Sequence, residues 1–151
     1  MAAAGPATRT AAQALAQLTT IVGGRRVVPV EDFARAGVWE YNTKQERKAF
    51  ADQFNPILRR ILIPQPDWYP IPEKIYPWQE DVIPRFVVPF IENPDLAETF
   101  EEGPNYPHIL LGDGQHWISD GHHRIVAYKL LGIQRCKMQF NDLDEDEGYY
   151  R

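Results

Sequence analysis

Only one cysteine, Cys136, occurs in the 151 residues, so no internal disulfide can form and a disulfide-stapled secreted scaffold is excluded. Long apolar runs are missing as well. None approaches the roughly 20 residues that span a bilayer as a helix, so no membrane insertion is expected. Basic clusters are equally scarce. Lys and Arg total 16 against 21 Asp and Glu. Five of those acids (Asp142, Asp144, Glu145, Asp146 and Glu147) crowd one short stretch, and without them the two signs balance. Nonspecific nucleic-acid binders draw much of their affinity from clustered Lys and Arg that neutralise phosphates. This sequence has no such stripe, although a local basic pocket stays open. Acids are absent from residues 1–30, which carry Arg9, Arg25 and Arg26. Acid-poor, Arg-bearing starts also occur in organelle transit peptides. The continuous apolar core of a secretory signal is not there, and an ordinary helix is the simpler reading.

What is present is ordinary for a soluble domain: 44% hydrophobic and 25% charged residues. The expectation is one cytoplasmic domain over 1–151. Segment 8–22 holds an N-terminal helix over about 10–20, capped by Thr8 or Thr10, with Leu15, Leu18 and Ile21 at helical spacing. Gly23-Gly24 ends it. Residues 26–30 read as a strand whose Pro29 marks an edge or an end, and 31–36 as one helical turn. Thr43-Lys44-Gln45-Glu46 is a capping box opening a helix over about 44–54, with Phe50 and Phe54 on its apolar face and Pro56 limiting it.

Segment 56–107 holds 11 of the 13 prolines, interleaved with Trp68, Tyr69, Tyr76 and Trp78. Proline removes backbone donors and blocks long helices. The segment is therefore expected to be an insertion, mostly extended, with short elements such as Phe86-Val87-Val88. Asn93-Pro94-Asp95 resembles a helix start leading toward Phe100. Such a tract serves either as a polyproline ligand for an aromatic groove or as a loop packed by its own aromatics, the reading favoured here.

Segment 108–140 is the clearest. Residues 108–111 and 116–119 flank Gly112-Asp113-Gly114-Gln115, a hairpin signal with glycines supplying positive φ. A helix follows from about Gly121 to Leu131, stopped by Gly132. Cys136, Met138 and Phe140 then alternate with Lys137 and Gln139 as in a half-buried strand. Residues 141–151 form an acidic tail.

Ser119-Asp120-Gly121-His122-His123-Arg124 lies where strand gives way to helix. A helix start presents unpaired N–H groups and a partial positive charge, which together suit phosphate. Gly121 lets a ligand approach the backbone, Arg124 can fork onto phosphate oxygens, and a histidine can add donors. Asp120 can cap the helix, bind a metal or accept a proton. Adjacent His122 and His123 diverge by about 100° on a helix, so at least one serves the surface or the core. A zinc site from His116, Asp120 and His122 matches no known ligand spacing. Ser119 does not sit in a nucleophile-elbow motif.

The run Trp117-Ile118-Ser119-Asp120-Gly121-His122-His123-Arg124, followed by Ile125 to Gly132, resembles the signature of the ParB/sulfiredoxin fold. Its Asp-Gly-His-His-Arg form is most similar to the free-serine kinases of that superfamily, and the likeness covers about residues 108–140. The resemblance implies a small α+β fold with a mixed sheet, in which the box binds nucleotide phosphates. Members are CTP-binding DNA clamps, ATP-dependent sulfinic-acid reductases, kinases of free serine, or nucleases. By that likeness Asp120 is the catalytic base and Glu40 a candidate for a second catalytic carboxylate. Gly121, His122, His123 and Arg124, with Ser119, hold the phosphates of ATP, ADP or another nucleotide, with Mg2+. Sulfiredoxin chemistry itself is not expected, because its catalytic cysteine is replaced by His122. A DNA clamp is not expected either, because no helix-turn-helix domain follows. The expected function is an ATP/ADP-dependent phosphotransferase or NTP hydrolase acting on a small molecule. The alternatives are a ParB-like nuclease or DNA-associated regulator, and a noncatalytic module whose protein partner docks on the Pro/Trp-rich region or the acidic tail.

Overall fold

The computed structural model describes residues 6–96 and 106–145. In chain order the elements are α1 (Ala11–Val22), β1 (Val28–Pro29), α2 (Val30–Arg35), α3 (Lys44–Leu58), β2 (Asp67–Pro70), β3 (Ile75–Pro77), β4 (Asp81–Val82), α4 (Pro84–Glu92), β5 (His108–Gly112), β6 (Gln115–Asp120), α5 (His122–Leu131) and β7 (Arg135–Asp142). Five strands form one mixed sheet in the order β2-β7-β5-β6-β3, and β1 pairs with β4 alone. This is an α+β architecture. Among the described residues, no helix is long and apolar enough to cross a membrane.

Local chemistry accounts for the helix starts. Thr10 and Thr43 each accept the N3 amide while Gln13 and Glu46 reach back to the cap N–H, two reciprocal capping boxes. Gly23 and Gly132 close α1 and α5 in the left-handed conformation. The β5–β6 hairpin turns on Asp113 (φ 53°) and Gly114 (φ 72°), the two positive φ values that a type I′ turn requires. Gly112 has another purpose: a Cβ there would sit 2.7 Å from the Phe54 ring of α3. The acidic tail begins as a clamp on this turn, for the Asp144 carboxylate accepts the Asp113 and Gly114 amides at 2.7 and 2.8 Å. Residues 146–151 of that tail lie outside the described residues.

Four expectations need correcting. The helix expected to stop near 54 runs through Pro56 to Leu58. Ile57 and Leu58 pack against the Phe50, Phe54, Leu110 and Trp117 cluster, and that burial offsets one missing backbone bond in the last turn. Phe86-Val87-Val88 are helical rather than extended, within α4. Pro84 opens α4 at its first turn, where a proline costs no hydrogen bond, and Val87 and Ile91 are buried. Segment 56–107 is no detached insertion either. It supplies two of the five strands, with β2 antiparallel to β7 and β3 parallel to β6, and it supplies α4. The β1 strand is also shorter than expected, only two residues. Asn93 starts a turn, its carbonyl accepting Leu96 N at 3.0 Å, and the stretch toward Phe100 lies outside the described residues.

The sheet has two covered faces. Ile109, Ile118, Cys136 and Met138 meet α1, α4 and α5 in the main core. On the other face Leu110 and Trp117 meet α3, with the Phe50 ring 3.7 Å from the Trp117 ring. Burying both faces fixes the strand register, since a one-residue slip would exchange them. The thiol of Cys136, fully buried, is pushed up to about 12 by desolvation.

Candidate functional site

The box forms the junction between β6 and α5. Opposite it, β5 pairs His108 with Asp120 and Ile109 with Ile118, so Ser119 is an extra residue in the ladder. Such a bulge re-aims the strand end. Asp120 is exposed there, and its Oδ1 accepts the Gly121 amide at 2.9 Å. The reading of Asp120 as a helix cap shifts by one residue, because Gly121 is the N-cap, with φ 86° and ψ 27°. Only glycine fits: a Cβ would stand 2.7 Å from Cα of Pro107, in a conformation L-residues avoid. Gly121 has no side chain with which to cap α5, so the first-turn N–H groups of the helix receive no acceptor from their own N-cap residue.

The two histidines share one behaviour on diverging faces. His122 Nε2 accepts the backbone amides of Trp78 (2.8 Å) and Gln79 (3.2 Å). His123 Nε2 accepts that of Ile83 at 3.0 Å. An imidazole accepting at Nε2 is neutral and carries its proton on Nδ1. Desolvation pushes His122, 3% exposed and edge-on to Trp39, down to about 3, with His123 adding a smaller effect in the same direction. Burial lowers His123 as well. These rings tie the ends of β3 and β4 to the start of α5. The donors expected of them toward a phosphate are not at Nε2.

Arg124 is the unusual member. It is 3% exposed, and its guanidinium lies 4.8 Å from the centre of the Phe90 ring on α4. Its Nε and Nη1 are buried with no hydrogen-bond partner, and among the described residues no carboxylate pairs with it. Burial lowers its proton affinity, opposed by Tyr128, Cys136, Asp120 and Tyr106. A guanidinium does not discharge itself in a protein, so this charge stays buried, met among the described residues by the Phe90 ring and the field of Asp120 rather than by a salt bridge.

Glu40 lies between α2 and α3. Its amide donates to Ile75 O at 2.8 Å, and its carboxylate is felt by Lys129, two turns further along α5. Among the described residues it makes no hydrogen bond to the box. Ser119 is half-buried in the strand. No group of three acidic, histidine or cysteine side chains able to enclose a metal occurs among the described residues.

Sequence reasoning missed Phe90 and the buried pair His108–Asn141, whose Nε2 and Oδ1 are 2.7 Å apart, and it took Trp78 only as a packing or docking aromatic of the Pro/Trp-rich segment. Phe90 was hidden because its segment read as extended. Helical spacing of Val87 and Ile91 with it was the available signal. The chain matches no protein-family model, no curated protein and no solved structure.

Proposed function

We propose that the chain binds a nucleotide by its phosphates at the start of α5 and acts as an ATP- or ADP-dependent phosphotransferase or NTP hydrolase on a small molecule. The observation that carries this reading is Arg124: a guanidinium withdrawn from water, with two unpaired donor atoms and no acidic partner among the described residues, beside an uncapped helix start. An anion supplies the missing charge, and a phosphate accepts both the fork and the first-turn amides. The likeness of the box to the ParB/sulfiredoxin superfamily supports the same assignment.

Within this reading the amides of His122, His123 and Arg124 and the Arg124 side chain hold phosphate oxygens. The histidine rings act differently: as neutral acceptors they position the segments around the phosphates. Asp120 uses one carboxylate oxygen on Gly121 N and keeps the other for orienting or deprotonating the acceptor hydroxyl. Mg2+ needs only one or two protein carboxylates when phosphates supply the rest of its shell, and Glu40 would be the candidate for that ligand, with Asp120 left to the acceptor. The ion would neutralise the charge that develops during in-line transfer. Calorimetric titration with ATP, ADP and CTP in the presence of Mg2+ tests the reading. At least one nucleotide binds, and Arg124→Ala weakens it at least tenfold. No binding, or equal binding by the variant, overturns it.

A further inference from the structure

A groove of about 410 Å³ opens between the first two turns of α3 and the end of β3, walled by Lys44, Arg47, Lys48, Ala51, Trp78 and Glu80. Its aromatic wall is Trp78, half-buried, with one edge against Phe50 at 5.0 Å and 86°. Half-buried tryptophans are common, but this one is held unusually firmly. The amides of Trp78 and Gln79 donate to His122 Nε2. On its other side, Pro77 O accepts Asn42 Nδ2 at 2.9 Å, and Asn42 Oδ1 accepts Arg47 Nη1 at 2.7 Å. These bonds fix the backbone that carries Trp78, and the Phe50 ring packs against the indole itself, which lowers the ordering cost of stacking a ligand on it.

The α3 side of the lining carries the small Ala51. The charges around the groove are paired. Arg47 is 4% exposed, with Glu31 taking Nη2 at 3.3 Å and Nε buried without a partner. Lys44 and Lys48 stand at the rim, mostly exposed, with Lys44 reaching Glu80 at 3.6 Å and Lys48 held by Asp52 at 2.7 Å. A flat, uncharged aromatic group matches an apolar slot whose surrounding charges are already paired. The joint between groove and box is direct, since the ring that fixes Trp78 belongs to the first residue of α5.

Resting on the phosphate reading above, we infer that this groove seats the base of the bound nucleotide, stacked on Trp78. One ligand then bridges two features that are separate in sequence, the Trp78 platform and the α5 start.

The test compares the full chain's affinity for ATP and for inorganic tripolyphosphate. Stacking on an aromatic side chain is worth on the order of tenfold to a hundredfold, so ATP binds at least about tenfold more tightly. Trp78→Leu, which keeps an apolar contact for Phe50, erases that advantage and leaves tripolyphosphate affinity unchanged. If circular dichroism shows Trp78→Leu to be unfolded, Ala51→Trp, which fills the slot from α3, gives the deciding comparison with the same expectation. Equal wild-type affinity for the two ligands, or an advantage that survives in the deciding variant, overturns the base site while the phosphate site stands. Binding of neither ligand removes both.

Discussion

Replacing Arg124 with methionine exposes the logic of the site in one measurement. The side chain keeps much of its length and apolar contact, but loses its charge and its donors. In the wild type, Nε and Nη1 are buried and unpaired. Each unsatisfied donor costs about 1–3 kcal/mol. The Phe90 ring, 4.8 Å from the guanidinium carbon, returns about 2 kcal/mol of that when desolvated. The balance is a net penalty on the order of 2 kcal/mol in the absence of an anion. For a chain of this size each kcal/mol moves Tm by about 2–4 °C. Arg124→Met should therefore melt about 4–8 °C above the wild type in phosphate-free buffer by differential scanning calorimetry. Adding phosphate or nucleotide at a hundred times Kd should stabilise the wild type by about 2.7 kcal/mol and leave the variant unmoved. A variant that melts below the wild type without phosphate, and that gains as much from it, refutes the buried-charge argument.

Two further outcomes follow from neighbouring residues. His122 is pushed down to about 3, so the folded protein leaves it neutral while the unfolded chain protonates it near 6.5. Its contribution is complete above pH 6.5 and is lost at about 1.4 kcal/mol per pH unit as pH falls toward 3. His122→Gln, whose amide oxygen can accept the Trp78 amide, should shrink the stability difference between pH 7 and pH 5 by about 2 kcal/mol in urea titrations. An unchanged difference would show that the ring titrates freely. Gly121→Ala and Gly114→Ala both place a side chain at positive φ, worth about 1–2 kcal/mol. Only the former meets Cα of Pro107, at 2.7 Å, whereas nothing lies within 4 Å of the latter. Gly121→Ala should thus lose about 1–3 kcal/mol more than Gly114→Ala, and equal losses would contradict the close approach.

Much of the secondary structure was legible because its causes are local. Thr43 and Glu46 specify a helix start within four residues. Asp113-Gly114 specifies a two-residue turn, and the alternation from Cys136 to Met138 specifies a strand with one buried face. The proline-rich segment was misread because proline's local preference was allowed to decide alone. Pro84 sits where a helix needs no donor, and Pro56 lies in a last turn held by Ile57 and Leu58.

The box residues themselves were visible as a strand-to-helix junction, since a glycine between a strand pattern and an apolar-periodic run marks one locally. Their division of labour was not visible. Whether an imidazole donates or accepts depends on which amide faces it, and the amides of Trp78 and Ile83 arrive from some 40 residues away. Whether a guanidinium is paired depends on every segment that packs around it, and Phe90 of α4 brings a ring to Arg124 where a carboxylate would have neutralised it. Sequence alone determined the element starts, the turns and the chemical types at the junction, because backbone capping and side-chain periodicity act over a few residues. Only the tertiary structure decided which groups were left unsatisfied, because desolvation is a property of everything that surrounds an atom.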